Sequence, residues 1–283
     1  LTKILFVSDL HGRIAWYEKL FNAIENEKPN IVLLGGDLLP HAFRSSVEFP
    51  NFITDYLQVN FSRLRDSLKD QYPKVMLIMG NDDPKSLEPE LLSAGTDNLW
   101  DYIHDTKRSC FGYTFAGYSY VPPTPFQLKD WERYDVSRFV DPGCVSPEDG
   151  LHTTPVDAGT LRYSTIQKDL DRLFDQGDLS KTICLFHSPP YQTNLDRAAL
   201  DEMKVDHAPL DVNVGSIAIQ RFIEAKQPKI TLHGHIHESS RITGHWQDRR
   251  GETFLYSAAY EGPELAIIKF NLEQPDQAER LLL

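Results

Sequence analysis

The chain has 283 residues, a quarter of them charged, and a formal net charge of -12. That length suits one large α/β domain or two small ones, and the negative balance without a basic tract excludes non-specific nucleic-acid binding. No apolar run reaches membrane-spanning length, no signal-peptide pattern opens the chain at Leu1, and Cys110, Cys144 and Cys184 are widely spaced; a cytoplasmic setting with free thiols and no membrane association is expected.

In chain order, Lys3–Ser8 is an apolar run ending at Asp9 and reads as a strand buried on both faces. Ile14–Asn26 has helical spacing, with Trp16, Leu20, Phe21 and Ile24 on one side. Ile31–Leu34 reads as a second strand cut off by Gly35 and Gly36, Phe61–Leu68 as a helix, and Val75–Met79 as a third strand closed by Gly80. This β-α-β-α-β alternation predicts right-handed crossovers in a layered α/β fold. Cys110–Tyr120 alternates weakly around Gly112 and Gly117 and suits a hairpin. Val121–Pro155 holds six prolines and little periodicity. Its aromatics Phe126, Trp131, Tyr134 and Phe139 predict an ordered lid, with a surface insertion as the alternative; in a lid, Lys129, Arg133 and Arg138 would contribute selectivity. Thr165–Phe174 then reads as a helix, Lys181–Phe186 as a strand ending at His187, Ser216–Ala225 as a helix, and Lys229–Leu232 as a strand ending at His233. Arg241–His245, Thr253–Ser257 and Leu265–Phe270 read as three late strands at hairpin-like spacing.

Seven oxygen- or nitrogen-bearing side chains lie just past these strand-like runs: Asp9, His11, Asp37, Asn81, His187, His235 and His237. Residues two apart on a strand share a face, so Asp9 and His11 reach one ion together. Glycine before Asp37, Asn81 and His235 lets backbone approach closely. Ligands at the carboxyl ends of several strands match the usual place of sites in open α/β sheets. Each piece alone is weak, since an Asp-x-His or a Gly-His pair is usually a loop feature. Together they are hard to read as core, because so many ionisable groups would repel one another without cations.

The series Asp9-x-His11, Gly36-Asp37, Gly80-Asn81-x-Asp83, His187 and Gly234-His235-x-His237 resembles the calcineurin-like metallophosphoesterase superfamily. The resemblance implies a four-layer αββα sandwich of two mixed β-sheets flanked by helices, as a single domain over 1–283 with the lid or insertion near 121–155. It also implies two divalent ions, Mn, Fe, Zn or similar. By position, Asp9, His11, Asp37 and His237 would hold the first, and Asp37 would bridge to the second, completed by Asn81, His187 and His235. His233 is expected to be structural. The implied activity is hydrolysis of phosphate esters in a small phosphorylated substrate, by a hydroxide held between the ions.

The departure is Asp82. Many members carry histidine there, oriented by the acid at the position of Asp83, to contact phosphate and protonate the leaving group. Others carry cysteine and act on diesters, so phosphodiesters are the expected preference, with a monoesterase or a non-catalytic metal-binding scaffold as alternatives. Asp82 could itself be an acid with a raised pKa, could point away, or could leave the proton to another group, His41 first and His152 or His207 behind it. Ser188 lacks a nucleophile elbow, which argues against a serine hydrolase.

Overall fold

The computed structural model describes residues 1–41, 49–96, 98–175, 177–205 and 207–283. From the N-terminus run β1 (Lys3–Val7), α1 (Ile14–Glu27), β2 (Ile31–Gly35), α2 (Val59–Leu68), β3 (Lys74–Ile78), α3 (Glu88–Ala94), β4 (Asp101–Tyr102), β5 (Thr106–Cys110) and β6 (Tyr113–Tyr118). The second half adds α4 (Ala158–Tyr163), α5 (Ile166–Leu173), β7 (Thr182–Phe186), a small hairpin of β8 (Lys204–Val205) and β9 (Ala208–Pro209), α6 (Ile217–Lys226) and β10 (Ile230–His233). It closes with α7 (Ser239–Thr243), β11 (Gln247–Arg250), β12 (Thr253–Ser257), β13 (Ala266–Asn271) and β14 (Gln274–Leu282).

These strands form two mixed six-stranded sheets, ordered β14-β13-β1-β2-β3-β4 and β11-β12-β10-β7-β6-β5. In the first, β1 to β4 run parallel and β13 pairs antiparallel to β1. In the second, β6, β7, β10 and β12 run parallel between antiparallel edges. Side chains of period two divide each strand between layers. Ile4, Phe6, Leu33 and Met76 meet Ile183, Leu185, Leu232 and Tyr256 between the sheets. Leu5, Val7, Val32 and Leu77 face outward with Leu20, Ile24 and Phe61 of the helices. Cys184 and Phe186 likewise pack with Leu170 and Phe222. Burial on both faces explains the unbroken apolar runs read from the sequence.

The late segment differs from expectation. Arg241–His245 does not form a strand: α7 covers Ser239–Thr243 and ends at Gly244 in the left-handed region, φ 76°. The glycine supplies a helix exit, and pairing starts only at Gln247. The hairpin read at Cys110–Tyr120 forms, but its first strand begins earlier, at Thr106. β14 had no alternating pattern to reveal it, being a mostly polar edge strand on β13.

The segment 121–155 is packed rather than loose. Trp131 and Tyr134 are buried, while Phe126 and Phe139 are exposed. Asp130 accepts from the backbone N–H of Lys85 and of Thr153, tying the segment to the loop after β3. Asp135 accepts from Ser216 Oγ and from the N–H groups of Ile217 and Ala218, capping α6. The three cations of this segment are all ion-paired. Lys129 is fully buried against Glu132, Arg133 pairs with Asp169, and Arg138 pairs with Glu148 at 2.7 Å. Lys129, without exposed surface, is therefore not the selectivity group the sequence suggested.

Candidate metal centre

The carboxyl ends of β1, β2 and β3 in one sheet and of β7 and β10 in the other converge at one end of the sandwich. The loops after β1 and β2 are zipped together: Asp9 N–H donates to Gly36 O at 2.9 Å, His11 N–H to Asp37 O at 2.8 Å and Gly12 N–H to Leu38 O at 2.9 Å. Asp9 in turn accepts the N–H of His235 at 3.0 Å, which joins the two sheets.

Four of the predicted donors occupy the left-handed backbone region: Asp9 (φ 59°), His11 (46°), Asp37 (52°) and His235 (72°). Non-glycine residues rarely adopt it, and strain of this kind gathers at functional sites. The glycines beside them provide clearance. A Cβ on Gly80 would lie 2.3 Å from Asp37 Oδ1 and 2.6 Å from His187 Nε2, and one on Gly234 would lie 2.6 Å from Asp9 Oδ2.

The described residues include three groups of close donor atoms: Asp9, His11 and His237; Asp37, His187 and His235; and His11, His41 and Asp82. Within the first, His237 Nε2 is 3.2 Å from Asp9 Oδ1 and 3.3 Å from His11 Nε2. Within the second, His187 Nε2 is 3.3 Å from Asp37 Oδ2 and 3.1 Å from Asn81 Oδ1. Tetrahedral or octahedral bonds of about 2.0–2.1 Å put neighbouring donors about 2.9–3.4 Å apart, so these four pairs are spaced as donors around a common ion would be. The mix of imidazole, carboxylate and amide oxygen suits Mn, Fe or Zn.

The donors by themselves hold protons where cations would sit. Burial alone would raise Asp9, yet the charge of His237 holds its carboxyl at about 2. Asp37 is driven far below the carboxylate range by His187, again against burial. Burial would lower the histidines, but Asp37 outweighs it at His187, which rises to about 10, and Asp9 outweighs it at His237, which rises to about 8. His235, buried beside a charged His187, falls to about 3, and burial lowers His11. Two imidazolium protons thus compensate the carboxylates, a task that divalent ions would perform if bound.

Asp82 and Asp83 part company. Asp83 is fully buried and turns inward, accepting N–H bonds from Leu39 at 2.8 Å, Leu38 at 3.1 Å and Gly80 at 2.9 Å, so it staples the β2 loop to the β3 loop. Asp82 stays at the rim, its Oδ2 3.3 Å from His41 Nδ1 and 3.6 Å from His11 Nδ1. Burial, then the charges of Asp37 and Asp83, push its carboxyl up to about 7. The His41 ring stacks on His11 at 4.8 Å between centroids. His152 instead bonds Pro147 O in the 121–155 segment, and His207 sits in the β8–β9 turn; neither joins a donor group among the described residues. His233 is buried with both ring nitrogens engaged, by Ser188 O at 2.9 Å and Thr231 Oγ1 at 2.8 Å. Ser188 Oγ donates to Pro189 O. The backbone strain and the inward turn of Asp83 had no sequence signal beyond the flanking glycines.

Residues 2–239 match the family described as calcineurin-like phosphoesterase. No curated protein matches the chain. Solved structures do. One is 14% identical with a TM-score of 0.61, covering 99% of this chain and 98% of its own. TT1561 of Thermus thermophilus is 15% identical with a TM-score of 0.55, covering 100% and 99%. At these identities the likeness is one of fold. Among the described residues no helix is long and apolar enough to cross a membrane.

Proposed function

The chain belongs to the calcineurin-like phosphoesterase family, and from that premise we propose that it hydrolyses small phosphate esters, diesters in preference, with two divalent ions held by Asp9, His11, Asp37, Asn81, His187, His235 and His237. The observation that carries this reading is the convergence of donors from five strand ends into two groups, with four donor pairs 3.1 to 3.3 Å apart. Bound ions would supply an activated water and a positive clamp for the phosphate oxygens.

The chain's own residues do the rest. Asp37 would be the shared ligand: its backbone O accepts the N–H of His11 in the first group at 2.8 Å, while its Oδ2 faces His187 Nε2 in the second at 3.3 Å. His187 donates Nδ1–H to Gly35 O at 2.8 Å, which turns Nε2 into the site. The diester preference is supported by the missing imidazole at Asp82, the position at which family members without histidine act on diesters. We assign the leaving-group proton to His41. With Nδ1 turned to Asp82, its Nε2 is the nitrogen that would meet a leaving oxygen.

The test is hydrolysis of a chromogenic bis-aryl phosphate and of its mono-aryl analogue with Mn²⁺ and demonstrated metal occupancy. Faster turnover of the diester is expected, with His41→Ala lowering kcat about 10²-fold or more. No turnover of either ester by the loaded protein would sink the reading.

A further inference from the structure

We propose that Asp82 is a positioning residue: its Oδ2 takes the Nδ1–H of His11 and its Oδ1 the amide N–H of Asn81, so that one carboxylate aims a ligand of each ion group. The inference rests on the reading of His11 and Asn81 as metal ligands. His11 has a side chain only 7% exposed, and its Nδ1 is buried without a hydrogen-bond partner. Its Nε2 already faces His237 Nε2 at 3.3 Å, so Nδ1 is the nitrogen turned away from the first group. A buried ring nitrogen left unpaired is costly. Metal-ligating histidines almost always donate their second N–H to a carboxylate or a carbonyl, which fixes tautomer and ring orientation.

His187 displays that device in this same site, through Gly35 O. At His11 the oxygen facing Nδ1 belongs to Asp82, 3.6 Å away. Closing to an ordinary hydrogen bond requires a shift of only about 0.7 Å. The backbone of Asp82 is anchored by its N–H to Asp37 Oδ1 at 2.8 Å, and the same Oδ2 also lies 3.3 Å from His41 Nδ1, so it would accept from both rings. The other oxygen of Asp82 lies 3.2 Å from Asn81 Nδ2. With its amide nitrogen so engaged, Asn81 presents Oδ1 to His187 and the second group. A histidine at position 82 has one acceptor nitrogen and could not serve both ligands. Asp82 thus turns toward the ligands instead of opposing a phosphate oxyanion.

The experiment reads metal binding and tautomers without substrate. Long-range ¹⁵N–¹H spectra of the Zn²⁺-loaded protein are expected to show His11 protonated at Nδ1 and metal-bound at Nε2. Chelator competition is expected to show Asp82→Ala and Asp82→Ser weakening Zn²⁺ binding about 10–100-fold, with thermal melts reporting the fold. Asp82→Asn, which keeps one oxygen acceptor but loses the second and the charge, should weaken binding clearly less than Asp82→Ala does. Equal losses in Asp82→Asn and Asp82→Ala would assign the effect to charge alone and overturn the proposal. So would an unprotonated His11 Nδ1 in the wild type, which needs no variant to observe. A wild type that binds two ions while Asp82→Ala binds them equally well overturns this inference and leaves the metal reading intact. A wild type that binds none overturns both.

Discussion

Loading the site with metal must expel protons, and the number can be worked out from the pairs His187–Asp37 and His237–Asp9. Both histidines are raised, to about 10 and about 8. A raised histidine keeps its proton until the pH passes its folded value, so falling pH favours the proton over the ion. At pH 7 the first is essentially fully protonated and the second about nine-tenths, so loading both groups displaces roughly two protons. At pH 9 the fractions are about 0.9 and 0.1, and roughly one proton leaves. Asp82, at about 7, adds up to about half a proton at pH 7 and almost none at pH 9. With about two protons linked, the combined constant for both ions falls roughly hundredfold from pH 7 to pH 6, about 2.7 kcal/mol. Isothermal titration with Mn²⁺ in two buffers of different ionisation enthalpy measures the proton number directly. Fewer than about half a proton at pH 7, or the same number at pH 9, would refute the argument that imidazolium protons occupy the cation positions.

Other outcomes follow from single contacts. Gly80→Ala drives a Cβ to 2.3 Å from Asp37 Oδ1 and 2.5 Å from Asp37 N; far-UV circular dichroism should remain native while metal affinity falls at least about tenfold, and unchanged affinity would contradict the clearance argument. Lys129→Met leaves the buried Glu132 without a cation, held only by Thr124, at a cost of about 3–5 kcal/mol in urea denaturation. The double variant with Glu132→Leu should recover most of it, and its KM should match the wild type if Lys129 serves structure alone. Asp135→Ala removes the acceptor for Ser216, Ile217 and Ala218. A loss of about 1–3 kcal/mol is expected, with faster hydrogen exchange in 121–155; unchanged exchange would show that this anchor does not hold the segment.

Much of the layered fold was legible because burial leaves a local mark. Strands covered on both faces are apolar throughout, as Ile31–Leu34 and Ile183–Phe186 are, and glycine punctuates the end of the first. The seven donors could be named for the same reason, since each follows such a run. Edges leave no such mark: β14 is polar, and α7 replaced an expected strand because Gly244 is equally at home in a turn or at a helix exit. The 121–155 segment misled in a different way. Its lysine looked like a surface charge, and only packing against Glu132 made it part of the interior.

What the chain determines by itself is the set of strands buried on both faces, the donors at their carboxyl ends and the departure at Asp82, all of which follow from residue type and short spacing. Tertiary structure alone decided how they meet. β1, β2 and β3 lie in one sheet and β7 and β10 in the other, so convergence depends on two sheets being pressed together by Phe6, Leu33, Leu185 and Leu232. It also decided that Asp83 faces the backbone while Asp82 faces His11 and His41. Adjacent residues in a turn can point opposite ways, and the direction is set by which buried N–H groups need an acceptor, a demand written in three dimensions and not in the order of residues.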